Sequence, residues 1–260
     1  MNSSPKLVSS ALFLRNRLCR YAAVMITGAV LTGSGFAATT ITQWNFNSDP
    51  ADASVSTGSS LPSIGTGTVA GVGGVTTAFT GSNGSSDPAA STDDSGFNLT
   101  GFPSQSTGDR TRGVSFMVST AGYVDVVLTF DQRNTNTASR YWELQYTTDG
   151  SAWTPYTVTG TNTSGGLYEF VASTWVNGLT VDFTGVSGVD NNALFGVRIL
   201  AAYDPASGTS YTPTNTGSNY GTSGTATFDY VTFGGTSVPE PGRMALLILG
   251  VAGFGLRRRR

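Results

Sequence analysis

Between residues 38 and 237, apolar side chains recur at every second position in short runs separated by clusters of Gly, Asn, Asp and Pro. Period two marks a half-buried strand, because successive side chains of an extended chain point to opposite faces. In Tyr123 to Asp131, Val124, Val126, Leu128 and Phe130 share one face, and Asp125, Val127 and Thr129 share the other. Arg140 to Thr148 alternates most regularly, with Trp142, Leu144 and Tyr146 inward and Tyr141, Glu143, Gln145 and Thr147 outward. Asp149-Gly150 then supplies a hairpin turn, and Trp153 begins the return. The same pattern predicts strands at Ile41–Asn47, Gly113–Ser119, Leu167–Ala172, Leu179–Phe183, Leu194–Tyr203 and Thr225–Phe233. Shorter strands are expected near Val69–Val72 and Val75–Thr80, inside a Ser/Thr/Gly-rich stretch (residues 50–96) where long loops are expected. No segment between Ala38 and Ser237 carries the 3.6-residue period of an amphipathic helix. Many short strands without helices predict an all-β domain over residues 38–236, a jelly-roll-like β-sandwich. Its first strand (Trp44-Asn45-Phe46) and last strand (Thr227 to Val231) are expected to pair.

Both ends of the chain break this pattern. Residues 1–20 carry Lys6, Arg15, Arg17 and Arg20 and no acid; Tyr21 to Leu31 is almost wholly apolar, and Gly33, Ser34, Gly35, Ala37 and Ala38 are small. A charged n-region, an apolar h-region and a small-residue cleavage site make residues 1–37 a secretory signal peptide, cut by signal peptidase after Ala37 or one residue later. The apolar run is too short for the roughly 20 residues of a spanning anchor. Cys19, the one cysteine, precedes that run, so the processed chain has no thiol and no disulfide.

The other end, residues 237–260, reads Val238-Pro239-Glu240-Pro241, then an apolar stretch Met244–Leu256, then Arg257, Arg258, Arg259 and Arg260. Each proline fixes its own φ and drives its predecessor out of helix space, so Val238 and Glu240 are expected to be extended. As a helix, the apolar stretch is about 20 Å long at about 1.5 Å per residue, shorter than a hydrocarbon core of about 30 Å. It crosses with local thinning, with Arg243 and the terminal arginines snorkelling to the two surfaces. The arginine cluster acts as a membrane stop and stays cytoplasmic, which places the domain outside the inner membrane. The signal peptide requires the same orientation independently.

In its order and its terminal position, this set of features resembles the PEP-CTERM sorting signal of exosortase substrates. The resemblance rests on Pro239, Glu240, Pro241, the span Met244–Leu256 and Arg257–Arg260. It implies recognition by an exosortase, a membrane-embedded cysteine transpeptidase-like protease, and processing near the motif with release to the cell surface or medium. Such proteins are typical of Gram-negative bacteria that make exopolysaccharide and biofilms. Arg243 departs from the pattern, which usually has a small hydroxyl or apolar residue there.

Composition narrows the chemistry. Nine of the 14 basic residues lie in the two ends, and only Glu240 of the 16 acids does, so the segment between keeps five arginines against 15 acids. Its net charge is about −10, against −2 for the whole chain. Such a surface is unsuited to nucleic acid or to an anionic membrane. The chain has no histidine, which removes Ser-His-Asp chemistry, His-ligated zinc and the usual proton shuttle. A non-catalytic role is expected.

The run from Phe130-Asp131-Gln132-Arg133 through Trp142 to Asp149–Trp153 is similar to segments of extracellular jelly-roll domains, carbohydrate-binding modules among them. The alternative function is therefore recognition of exopolysaccharide, with Tyr141 or Tyr203 as stacking platform and Arg133 as a polar contact. The plainer account of Asp131, Arg133 and Arg140 is a salt bridge closing a loop. Asp229 on the last strand, with Asn47 or Asp49 after the first, is a candidate Ca2+ site, set against an ordinary edge-strand aspartate. Asp93-Asp94 reads as a solvated loop. Glu143 and Asp125 form the only carboxylate pair that suggests a glycosidase, on the expectation that they lie on neighbouring strands.

Overall fold

The structure, a computed structural model, describes residues 38–159 and 162–238. The signal peptide, and everything in the sorting tail after Val238, lie outside the described residues.

The described residues form thirteen strands, of which the first seven are β1 (Thr39–Trp44), β2 (Gly67–Val72), β3 (Thr76–Gly81), β4 (Ser95–Thr100), β5 (Gly113–Val118), β6 (Tyr123–Asn134) and β7 (Tyr141–Thr147). The rest are β8 (Thr154–Tyr156), β9 (Asn162–Ser164), β10 (Leu167–Glu169), β11 (Trp175–Asp182), β12 (Gly196–Ala202) and β13 (Ala226–Ser237). They form two antiparallel sheets. One runs β11-β6-β13-β4-β3, with β1 also on β13; the other runs β2-β5-β12-β7-β10-β9, with β8 on β7. The described chain is thus an all-β sandwich, as the period-two pattern predicts.

The apolar sides of the alternating strands meet between the sheets. Val126, Leu128, Phe130, Phe228, Val231 and Phe233 from the first sheet are buried with Val114, Phe116, Trp142, Leu144, Val197 and Ile199 from the second. Trp142 crosses the gap edge-to-face onto Phe228 at 6.2 Å, and Phe116 meets Phe233 at 6.5 Å. Tyr168 adds a polar tie, donating from its hydroxyl to Gln132 Oε1 at 2.7 Å.

The terminal strands pair, but of the expected segments only Trp44 and Val231 meet: Asn45 and Phe46 lie past the end of β1, and Thr227 and Phe228 pair with β4 instead. The hairpin after β7 also forms where Asp149-Gly150 predicts it. Gly150 takes φ +75°, a left-handed conformation that glycine adopts without a Cβ penalty. Asp149 accepts the backbone N–H groups of Ser151 and Ala152, and these bonds hold its pKa down to about 2.

Two expectations are corrected. The outward side of β7 is not solvated: Tyr141, Glu143 and Gln145 are each 8 % exposed. Side chains and loops of distant segments cover that face, including Arg110 on Glu143 and Arg198 on Gln145. A strand the sequence pattern does not predict, β4, follows the stretch 50–96, overlapping it only at Ser95 and Gly96. Gly96 and Asn98 have poor strand propensity, but β4 is paired on both edges, by β3 and β13, and tertiary pairing overrides propensity.

Candidate functional site

β13 uses one edge for β6 along most of its length and divides the other between two partners. Ala226–Phe228 pair with β4, and Val231–Gly235 pair with β1. At the change of partner the register with β6 also slips, between Asp229 and Thr232, and Tyr230 takes φ +46°. A bulge of this kind re-aims a side chain. Here the side chain is Asp229, next to the core residue Phe228 and so directed away from the core.

The segment 82–94 crosses this outer face. The backbone N–H and hydroxyl of Ser86 both donate to Asp131 Oδ2, and Asn177 of β11 donates to the Gly84 carbonyl. The crossing brings Asp87 and Asp94 to Asp229, and one carboxylate oxygen from each lies within 4.8 Å of the others. Asn47, three residues beyond β1, ties the corner together: its Nδ2 donates to Asp87 Oδ2 at 2.7 Å, and its Oδ1 accepts the Ser95 N–H at 2.8 Å. The Ser82 hydroxyl donates to Asp94 Oδ1.

Asp229 is 0 % exposed. Its Oδ1 accepts the Tyr230 N–H at 2.7 Å, and its Oδ2 is buried with no hydrogen-bond partner. Burial pushes its pKa up to about 8, against the opposing pull of the Ser85 and Ser82 hydroxyls, neither of which reaches hydrogen-bonding geometry with Oδ2. Burial also raises the pKa of Asp87, and Asp94 and Asp131 add repulsion. Both ion pairs found among the described residues use Arg110, so neither compensates these acids. The arrangement can hold a proton or a hard cation, since only oxygen donors converge.

The raised pKa has a measurable sign. In the unfolded chain Asp229 titrates near 3.8, and in the fold near 8. Between those values the folded state keeps a proton that the unfolded state has released, so stability falls as pH rises. Metal-free protein is therefore expected to lose stability steadily from about pH 4 to about pH 8, and Asp229→Asn to flatten that slope. Asp149, Asp52 and Asp182 shift downwards and act at lower pH. Urea midpoints at pH 5 and pH 8 in chelator, compared between the two proteins, check this; equal slopes would contradict it.

Of the expected calcium ligands, Asp229 lies in the cluster and Asn47 beside it. Asp49 is exposed on a polar groove with Asn47, Ser48 and Leu61, outside the group of three. Asp94 is 4 % exposed, not in a solvated loop. Asp87 was not singled out. The available signal was local acid density: Asp87, Asp93 and Asp94 fall within eight residues of a chain that is 12 % charged.

The other expected sites come apart. Arg133 sits 5.1 Å over the Trp175 ring and donates to the Gly81 carbonyl, and Arg140 donates to the Pro213 carbonyl and the Thr216 hydroxyl. The acid expected to pair with them, Asp131, accepts from Ser86 and Gly178 instead. Tyr141 is covered and packs with Leu167 and Ala202, while Tyr203 is half-buried edge-on to Tyr211 at 4.7 Å. Arg133 belongs to one sheet and Tyr141 to the other. Asp125 is exposed on the first sheet, and Glu143 is buried on the second, 2.7 Å from Arg110 Nε.

Glu143 accordingly behaves as a structural anion. Arg110→Ala leaves it covered, with Gln145 as its remaining side-chain contact. Because Arg110 is 37 % exposed, solvent screening limits the loss. The expected destabilisation is about 1–2 kcal/mol, read from urea unfolding; a change within noise would show that Glu143 does not depend on the pair.

No family model matches the chain, and no curated protein matches it at a significant level.

Proposed function

We propose that this chain is an exported, exosortase-processed protein of the cell surface or extracellular matrix, with a non-catalytic jelly-roll domain. One observation carries the proposal: Pro239-Glu240-Pro241, an apolar stretch and four arginines stand in that order directly after the folded domain. The last strand ends at Ser237, and Val238, the first residue of the motif, is exposed. The sorting peptide therefore starts where the sandwich stops, so a protease can act there without opening the core.

The jelly-roll assignment is supported by the order of the strands. β5-β12-β7 and β6-β13-β4 place strands distant in sequence side by side, and the chain crosses repeatedly between the two sheets. The non-catalytic reading is supported by the absence of histidine and by the placement of Glu143 and Asp125 on different sheets.

Immunolabelling of intact cells with an antibody to the domain tests the assignment. Labelling without permeabilisation, or signal in the medium, is expected. Signal that appears only after the inner membrane is opened would refute it.

A further inference from the structure

We propose that Asp87, Asp94 and Asp229 bind one Ca2+ ion at the point where β13 changes partner. The ion would pin the 82–94 crossing segment to the sheet.

The unpartnered, fully buried Oδ2 of Asp229 carries the inference. A buried carboxylate oxygen without a donor costs stability, and here its carboxylate lies in a cluster with two more, one oxygen of each within 4.8 Å of the others. A proton on Asp229 relieves only one of the three acids. A divalent cation answers all three, and among the described residues no arginine ion pair does so.

The groups around the acids are arranged as supports. Asn47 fixes the Asp87 carboxylate and the Ser82 hydroxyl fixes that of Asp94, the orienting role that outer groups play around metal ligands. Asp131 faces the same region with both oxygens already taken, by Ser86 and Gly178. Its oxygens are not among the three that converge, so it adds negative potential beside the site.

Donor type and spacing select the ion. All-oxygen donors exclude zinc and copper as preferred occupants. Calcium takes oxygen ligands at about 2.3–2.6 Å, so its ligands lie no more than about 5 Å apart, a limit the three oxygens meet. Magnesium requires shorter, octahedral contacts and keeps much of its water, which suits a covered corner poorly.

The test uses the full chain in detergent, stripped with chelator and titrated with CaCl2 or MgCl2 by calorimetry and thermal unfolding. One Ca2+ per chain is expected, with a Tm rise of about 5–10 °C at about a hundredfold excess over Kd and little response to magnesium. Asp229→Asn keeps the side chain's shape and cannot ionise, so that variant is expected to fold and to melt no lower than the stripped wild type while losing the calcium response. Asp87→Asn, at a half-buried position, provides a second variant and is expected to weaken binding at least about tenfold. A Tm indifferent to calcium, equal responses to magnesium, or calcium binding that survives both substitutions would overturn the proposal.

Discussion

Replacing Pro239, Glu240 and Pro241 together by alanine is expected to abolish maturation: the chain should accumulate as a precursor in the inner-membrane fraction, and most of the surface pool should disappear. On the proposed reading the two prolines restrain the peptide to the extended form a protease groove accepts, and alanines release both restraints. On the same reading the glutamate supplies a charge just outside the bilayer. Alanine is also the strongest helix former, so the triple substitution would favour helix through the proposed cleavage region. The sandwich should be untouched, because its core residues fall between Ile41 and Phe233. Fractionation and immunoblotting read the outcome, with circular dichroism confirming an intact domain. Undiminished release of the triple variant would remove the motif from the account.

Trp142→Ala should cause the largest loss of stability of any single change considered. Trp142 is fully buried, lies edge-to-face against Phe102 at 5.5 Å and Phe228 at 6.2 Å, and donates from Nε1 to the Ser139 carbonyl at 2.9 Å. Alanine leaves a cavity between the sheets and strips that carbonyl of one donor. Large-to-small changes at such sites cost about 3–5 kcal/mol, which lowers Tm by about 10 °C in a domain of this size. Leu61→Ala is the control, since Leu61 is 74 % exposed, and a change within about 0.5 kcal/mol is expected there. If the two variants melted alike, Trp142 would not be the bridge between the sheets.

What was legible in the sequence follows from what is local. Val124, Val126, Leu128 and Phe130 announce the core side of β6 because the pleat alternates with period two. Asp149-Gly150 announces its turn because the conformation it needs is set within two residues. That the terminal strands pair was legible from their likeness to the terminal strands of jelly-roll sandwiches, but the register was not: only Trp44 and Val231 of the expected segments meet.

The contents of the outer faces were not legible. Tyr141 and Glu143 sit on the polar side of an alternating strand, and residues distant in sequence cover them, Leu167 and Ala202 beside Tyr141 and Arg110 on Glu143. The acid cluster was half visible for the same reason. Asp229 lies on a strand whose partner, β1, could be guessed, so Asn47 was found near it. Asp87 and Asp94 reach the cluster on a long crossing segment whose path depends on Ser86, Asp131 and Asn177, residues far apart in sequence. Asp125 and Glu143, expected to be neighbours, are divided by the assignment of β6 and β7 to different sheets, which period alone does not decide.

The most direct test is the intact mass of the protein recovered from the cell surface or medium. The full chain weighs 26.9 kDa. The account predicts a product that begins at or next to Ala38 and ends close to the Val238–Pro241 motif, lighter than the full chain by both terminal segments. A native product carrying all 260 residues and found in the cytosol would contradict it.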